Sequence, residues 1–311
     1  MHKGGNNMLA GVGSTVAVAS SAHAAGKAPS VLHEPRTRRI ANRRMLLVSF
    51  VVALTLLVLV VIVGRFVLYD AATSTDFSQK NLAPSLEHLF GTDWMGRDMF
   101  ARTIAGLSLS VLVGLLAAGV SSAIALVLAS FAALGGRKAD AFVTWLVDLF
   151  MGVPHIVLLI LISYACGKGF WGVTIAVAVT HWPNLTRVLR AEIMQCRESL
   201  FVKHARKLGQ KPFAIALRHM LPYVFPQYLV GLILLFPHAI MHEAAITFLG
   251  FGLPVDVPAI GVILSESMSY LSSGMWWLAV FPGLALVATV MLFDVAGSSL
   301  RTLIDPHSTQ E

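Results

Sequence analysis

Met45–Gly64 is an apolar run without a charged residue, bracketed by Arg43 and Arg44 on one side and Arg65 on the other. A membrane-crossing helix needs about 20 consecutive, mostly apolar residues, so this run predicts a first span. Thr103–Gly136 is also uncharged and predicts a second helix near Leu107–Leu134. Ala141–Ala165 predicts a third, interrupted by Asp148 and Pro154, and Phe170–Val188 a fourth containing His181 and Pro183. Val224–Leu249 predicts a fifth with Pro226, Pro237, His238, His242 and Glu243 inside it, and Trp276–Ala296 a sixth with Pro282. No stretch alternates apolar and polar residues as barrel strands do. The pattern predicts an all-α integral membrane protein with six transmembrane helices.

Composition strengthens this reading. Of 311 residues, 56% are apolar and 13% charged, about half the ~25% charge of a soluble domain, and the mean hydropathy is +0.75. Too little charge is present to coat a soluble surface. The net charge of +7 is read as topological bias, because basic residues concentrate in cytoplasmic loops. With the N-terminus inside, 18 of the 23 Lys and Arg lie in inside segments, and Arg65, Lys80, Arg97, Arg102 and Lys168 lie outside. Both termini are therefore expected in the cytoplasm. The basic segments lack the interleaved aromatics of a nucleic-acid groove, and Cys166 and Cys196 have no metal-ligand or disulfide pattern.

Residues 1–44 are expected to form a flexible cytoplasmic tail, and 307–311 a second. Ala22-His23-Ala24 resembles a signal-peptidase site, but Met8–Ala25 has too weak an apolar core for a signal peptide. The six-span domain is placed at 45–306, with an extracytoplasmic loop at 65–106.

Residues 190–222 are too polar to span and too patterned for a loop. Leu200, Phe201, Ala205 and Leu208 fall at helical spacing, with Arg197, Lys203, Arg206 and Lys207 on other faces. Gly209 and Pro212 then break the helix, and a second short helix is expected over Phe213–His219, ending at Leu221-Pro222. This helix–turn–helix elbow is either an amphipathic segment held by lipid headgroups or a docking knob for a cytoplasmic partner.

The run Phe201-Val202-Lys203-His204-Ala205-Arg206-Lys207-Leu208-Gly209, followed by Arg218-His219-Met220-Leu221-Pro222, resembles the EAA-type loop of ABC-importer permeases. Lys203 and His204 stand where the motif has Glu and its first Ala. Phe90 to Asp98 resembles the GTD-x-x-GRD signature of C-type permease subunits of the dipeptide, oligopeptide and nickel family. Glu243 to Gly252 resembles their EAxxSFLGxG stretch, and Phe281-Pro282-Gly283 through Leu300-Arg301 to Asp305-Pro306 matches their ending. The resemblance implies a cytoplasmic coupling helix at Lys203, His204, Ala205, Gly209, Leu221 and Pro222 that docks on a separate ATPase. It also implies a second homologous permease, two ATPase subunits that use ATP and Mg, an extracytoplasmic substrate-binding protein and a bacterial inner membrane. This chain itself is expected to bind no cofactor.

Ionisable residues inside spans are costly and mark functional positions. His238 and His242 share a helical face, four residues apart, and can ligate a transition metal. Glu243, His181 and His155 are expected to join them along a substrate path. Equally, these histidines can hydrogen-bond backbone freed by Pro154, Pro183 and Pro237. The His238-x-x-x-His242 spacing and the His181-Trp182 pair resemble nickel-type permeases, implying nickel or a metal–metallophore complex as cargo, with di- or oligopeptides as the alternative. Asp93, Arg97 and Asp98 are either a solvated turn or a structural latch of the outer loop against the second span.

Enzymatic readings fail on the residues. His242-Glu243 lacks the second histidine of an H-E-x-x-H protease motif, and no P-loop occurs. Ser108, Ser110, Ser121 and Ser122 suit close helix packing. No catalytic residue is expected, and an ATP-driven transporter would need its ATPase on another polypeptide.

Overall fold

The computed structural model describes residues 36–304, with side chains from Arg43 onward. The tail residues 1–35, including Ala22-His23-Ala24, and residues 305–311 lie outside the described residues. In chain order the helices are α1 (Arg36–Ile62), α2 (Tyr69–Thr73), α3 (Met99–Leu134), α4 (Gly136–Gly152), α5 (His155–Ala165) and α6 (Gly169–Thr180). They continue as α7 (Trp182–Arg197), α8 (Leu200–Lys207), α9 (Pro212–Ile215), α10 (Leu221–Phe248), α11 (Ile260–Leu271) and α12 (Trp277–Ile304). The one β pairing among the described residues is an isolated bridge between Thr92 and Asp98.

Four stretches are long and apolar enough to cross a membrane: Arg43–Val67, Met99–Leu134, Pro212–Phe248 and Trp277–Ile304. These match the first, second, fifth and sixth predicted spans. The expected third span is not straight. It divides into α4 and α5 with a 94° bend, so four spans become five if that pair is one broken crossing. Pro154 is the cause: it disfavours helical backbone at the preceding residue, and Val153 is extended (φ −93°, ψ 137°).

The expected fourth span is also divided. α6 stops at Thr180 after 12 residues, and α7 begins at Trp182 with Pro183 in its first turn. Arg187, Arg190 and Arg197 make α7 too polar to complete the span. A count of six uninterrupted helices is thus not observed. The structure adds α11, a 12-residue apolar helix absent from the sequence expectation, and starts α1 at Arg36, inside the expected tail.

α3 is the axis of the fold. Its 36 residues extend about 54 Å at 1.5 Å per residue, and it packs against α1, α4, α6, α7, α10, α11 and α12. Ala105, Gly106, Ser110, Gly114, Ala117, Ala118, Ser121, Ser122 and Ala125 are all buried. Small side chains let backbones approach, which substitutes for hydrophobic drive between helices in lipid. A Cβ on Gly114 would meet Ile240 of α10 at 2.7 Å, and Ser122 Oγ lies 3.1 Å from the Tyr228 hydroxyl of α10.

Pro222 does not end a helix, contrary to the expectation for Leu221-Pro222. α9 runs through a π-helical turn (Ala216–Met220) into α10, and Pro222 sits in the first turn of α10. A proline ring clashes with the carbonyl four residues back and removes one hydrogen bond; a widened turn at that place relieves the clash.

Candidate functional site

Two interruptions of the helical backbone meet around one cavity. The Val153-Pro154 bend and the His181 break both contribute to its wall, together with Gly231, Leu235, His238 and His242 of α10. Its volume is about 820 Å³, within the roughly 300–1,000 Å³ of small-molecule sites. Non-helical backbone at membrane depth is tolerated where it lines a cavity, and discontinuous helices commonly frame transporter binding sites.

Three imidazoles converge on this cavity: His155 at the start of α5, His181 between α6 and α7, and His242 on α10. Their ring centroids lie 4.6–4.9 Å apart in edge-to-face pairs. One nitrogen from each lies within 4.8 Å of the other two. His181 Nε2 is 3.3 Å from His242 Nδ1. His181 Nδ1 donates to the Val177 carbonyl at 2.9 Å, and His242 Nδ1 to the His238 carbonyl at 2.8 Å. These acceptors lie on the histidines' own turns. Pro183 and Pro237 instead leave the carbonyls of Val179 and Ile233 without their i+4 donors.

The sequence pairing of His238 with His242 is therefore changed. His242 belongs to a trio with His155 and His181, while His238 is exposed, lines the same cavity and supplies its carbonyl to His242. Glu243 was expected on the same path but points elsewhere. It is fully buried, accepts from Thr247 Oγ1 at 3.0 Å, and is not in the cavity wall. Asp148 of α4 pairs with Arg187 of α7 at 2.7 Å, and Asp140 of α4 pairs with Arg190 of α7.

At the elbow, the expected apolar stripe divides between core and surface. Val202, Ala205, Ile215 and Met220 join the core. Leu200, Phe201, Leu208 and Phe213 are exposed, as are Lys203 and His204. Ala205 is thus a packing residue. Gly209 turns the chain with φ +75° and open space around its Cα. Glu198 accepts from Lys203, which holds its carboxyl below the usual range.

Asp93 and Arg97 do not form a solvated turn. Asp93 is 3% exposed, and its Oδ2 accepts from Arg97 Nε at 2.7 Å and from Arg102 Nη1 at 2.6 Å. Glu266 of α11 accepts from Arg102 at 3.0 Å. Asp98 caps α3 through the Ala101 amide at 2.7 Å and also meets His88 at 2.9 Å. The sequence placed Arg102 only among the outside basic residues and did not single out Glu266. The signal for both was a charged residue within otherwise apolar helix.

The model of the family described as "Binding-protein-dependent transport system inner membrane component" matches residues 125–310. The chain is 29% identical over 281 residues to the dipeptide transport system permease protein DppC of Bacillus subtilis (strain 168), spanning 90% of this chain and 88% of that one. It is 35% identical over 285 residues to a putative peptide transport system permease protein of Brucella suis biovar 1 (strain 1330), spanning 91% and 93%. Among solved structures it resembles an inward-facing conformation of the MetNI methionine ABC transporter. That likeness has a TM-score of 0.56 at 17% identity, covers 67% of this chain and 98% of the other, and concerns the fold.

Proposed function

Because this chain belongs to the family of binding-protein-dependent transport system inner membrane components, we propose that it is the permease subunit of an ABC importer for di- or oligopeptides. The observation that carries the reading is the cavity of about 820 Å³ framed by two broken helices, joined to an exposed apolar elbow at the opposite end of α10. The peptide class is supported by relatives named as dipeptide and peptide permeases. It replaces nickel or a metal–metallophore complex, the cargo inferred from sequence, as the first reading.

In this scheme the chain pairs with a second homologous permease, two ATPase subunits and an extracytoplasmic substrate-binding protein. Both termini and residues 190–222 face the cytoplasm, and the loop before α3 faces the binding protein. ATP and Mg act on the partner ATPases, and this chain does no chemistry. Nucleotide-driven motion enters through α8 and α9. Since α9 is continuous with α10 over Pro212–Phe248, movement of the elbow is transmitted along one helix to the cavity wall at His238 and His242. Such coupling requires only that the two conformations differ in their affinity for the nucleotide-loaded partners.

The test is reconstitution of the complete importer in proteoliposomes with a labelled dipeptide. ATP-dependent accumulation that needs the binding protein is the expected result. Accumulation of nickel with none of dipeptide would reverse the choice of cargo.

A further inference from the structure

We propose that His155, His181 and His242 form a binding site for a divalent transition-metal ion, with its remaining coordination positions open to the cavity. The three residues come from three separate helices, yet one nitrogen of each lies within 4.8 Å of the others. A carbonyl can only accept a hydrogen bond. The Val177 and His238 carbonyls, at 2.9 and 2.8 Å, therefore fix the hydrogen on Nδ1 of His181 and of His242. Both rings then carry their lone pair on Nε2, and that of His181 faces the His242 Nδ1–H at 3.3 Å, a contact that a bound ion replaces. A backbone acceptor behind and a lone pair in front is the arrangement that orients ligating histidines.

His155 supplies the third ring. It makes edge contacts with both partners but no hydrogen bond among the described residues, so its polar nitrogens are not explained by the fold. Nitrogen donors bound at about 2.0–2.1 Å to a tetrahedral ion sit about 3.4 Å from one another. Closing the trio to that size requires the rings to turn, His242 so that Nε2 replaces Nδ1 in facing His181. Three imidazoles suit zinc, nickel, copper or cobalt and disfavour calcium and magnesium.

Three protein ligands leave at least one position vacant, and all three residues line the cavity. That position takes water, or an amine or carboxylate of the cargo; its meeting with cargo rests on the proposed transport function, whereas metal binding does not. The site would make a metal-chelating peptide a better cargo than the same peptide with blocked donors.

The experiment uses the purified importer complex and Co²⁺ as probe, read by visible absorption and equilibrium dialysis. Expected are one bound ion per copy of this permease and nitrogen-ligated cobalt bands. Loss of outer-shell partners of metal ligands costs roughly 10–100-fold in affinity, so His155→Gln and His242→Gln are expected to lose roughly 100-fold or more. His155→Gln breaks no backbone hydrogen bond, and its intact assembly is checked by elution with the partner subunits. Absence of cobalt binding by the wild-type complex, or unchanged affinity in His155→Gln, overturns the site. A loss confined to His238→Gln and His242→Gln returns the ligands to the i,i+4 pair and overturns the trio. Added diglycine is expected to shift the cobalt bands, and an unchanged spectrum overturns the open position. Dipeptide uptake is measured in parallel: uptake without metal binding removes the site alone, and metal binding without dipeptide uptake removes the cargo reading alone.

Discussion

Arg102 Nη1 donates to Asp93 Oδ2 at 2.6 Å, joining the first turn of α3 to the outer loop that precedes it. Both side chains are almost fully buried, and Arg102 also reaches Glu266 of α11. Two guanidiniums and two carboxylates thus balance within one closed cluster. Removing one partner of a buried ion pair leaves an uncompensated charge, at a cost of about 3–5 kcal/mol. Asp93→Asn is expected to lower the thermal stability of the solubilised protein by an amount of that order and to expose residues 74–98 to protease. Unchanged melting and protease resistance would show that the cluster is no latch.

Two glycines with the same backbone angle are expected to behave differently. Gly96 has φ +76°, and a Cβ there would fall 1.7 Å from the Asp76 carbonyl oxygen. Gly209 has φ +75° with nothing within 4 Å. Gly96→Ala therefore meets a steric wall and is expected to abolish assembly. Gly209→Val meets only backbone strain of about 1–2 kcal/mol, so the chain should insert while the elbow changes shape. Binding-protein-stimulated ATPase activity of the assembled Gly209→Val complex is expected to fall. Gly209→Asn, which tolerates this conformation, should retain most of it. Equal activity in all three proteins would disconnect the turn from coupling.

Much of this arrangement was legible in the order of residues. Long uncharged runs marked α1, α3, α10 and α12, because lipid imposes a minimum apolar length. Gly209 and Pro212 marked the turn of the elbow, because few residues adopt positive φ. What was not legible depended on direction. Hydropathy gives no bend angle at Pro154, and it cannot say which of two histidines a distant ring will meet. Spacing alone joined His238 to His242; the bend and the His181 break brought His155 and His181 there instead. The α8 stripe divides for a related reason: Leu200, Phe201 and Leu208 stay exposed, whereas Ala205 faces the core together with Val202, which spacing did not single out.

The basic residues predict orientation. With 18 of 23 Lys and Arg in the segments expected inside, a reporter fused after Lys80 or Val255 should read as extracytoplasmic. One fused after Lys211 should read as cytoplasmic. This orientation requires that the bent α4–α5 pair and α6 with the start of α7 each carry the chain across once. A cytoplasmic signal at Lys80 would overturn the orientation, and opposite signals at Lys80 and Val255 would overturn the number of crossings between them.

The elbow offers a final contrast between exposed and buried apolar residues. Leu208 is 80% exposed and Phe213 75%, whereas Val202 is 0% exposed. An aspartate at either exposed position removes an apolar contact from the surface without touching the core. Surface changes of this kind usually alter stability by within about 0.5 kcal/mol. Leu208→Asp and Phe213→Asp are therefore expected to fold and insert normally but to lose co-purification with the ATPase subunits. Val202→Asp places an unpaired charge in the core that Ala205 and Met220 share, and burial of an unpaired charge is strongly unfavourable. It is expected to reduce yield of the permease itself, before any question of partners arises. If Leu208→Asp and Phe213→Asp retain the ATPase through gel filtration, the apolar surface of the elbow faces lipid headgroups and the docking surface lies elsewhere on the cytoplasmic side.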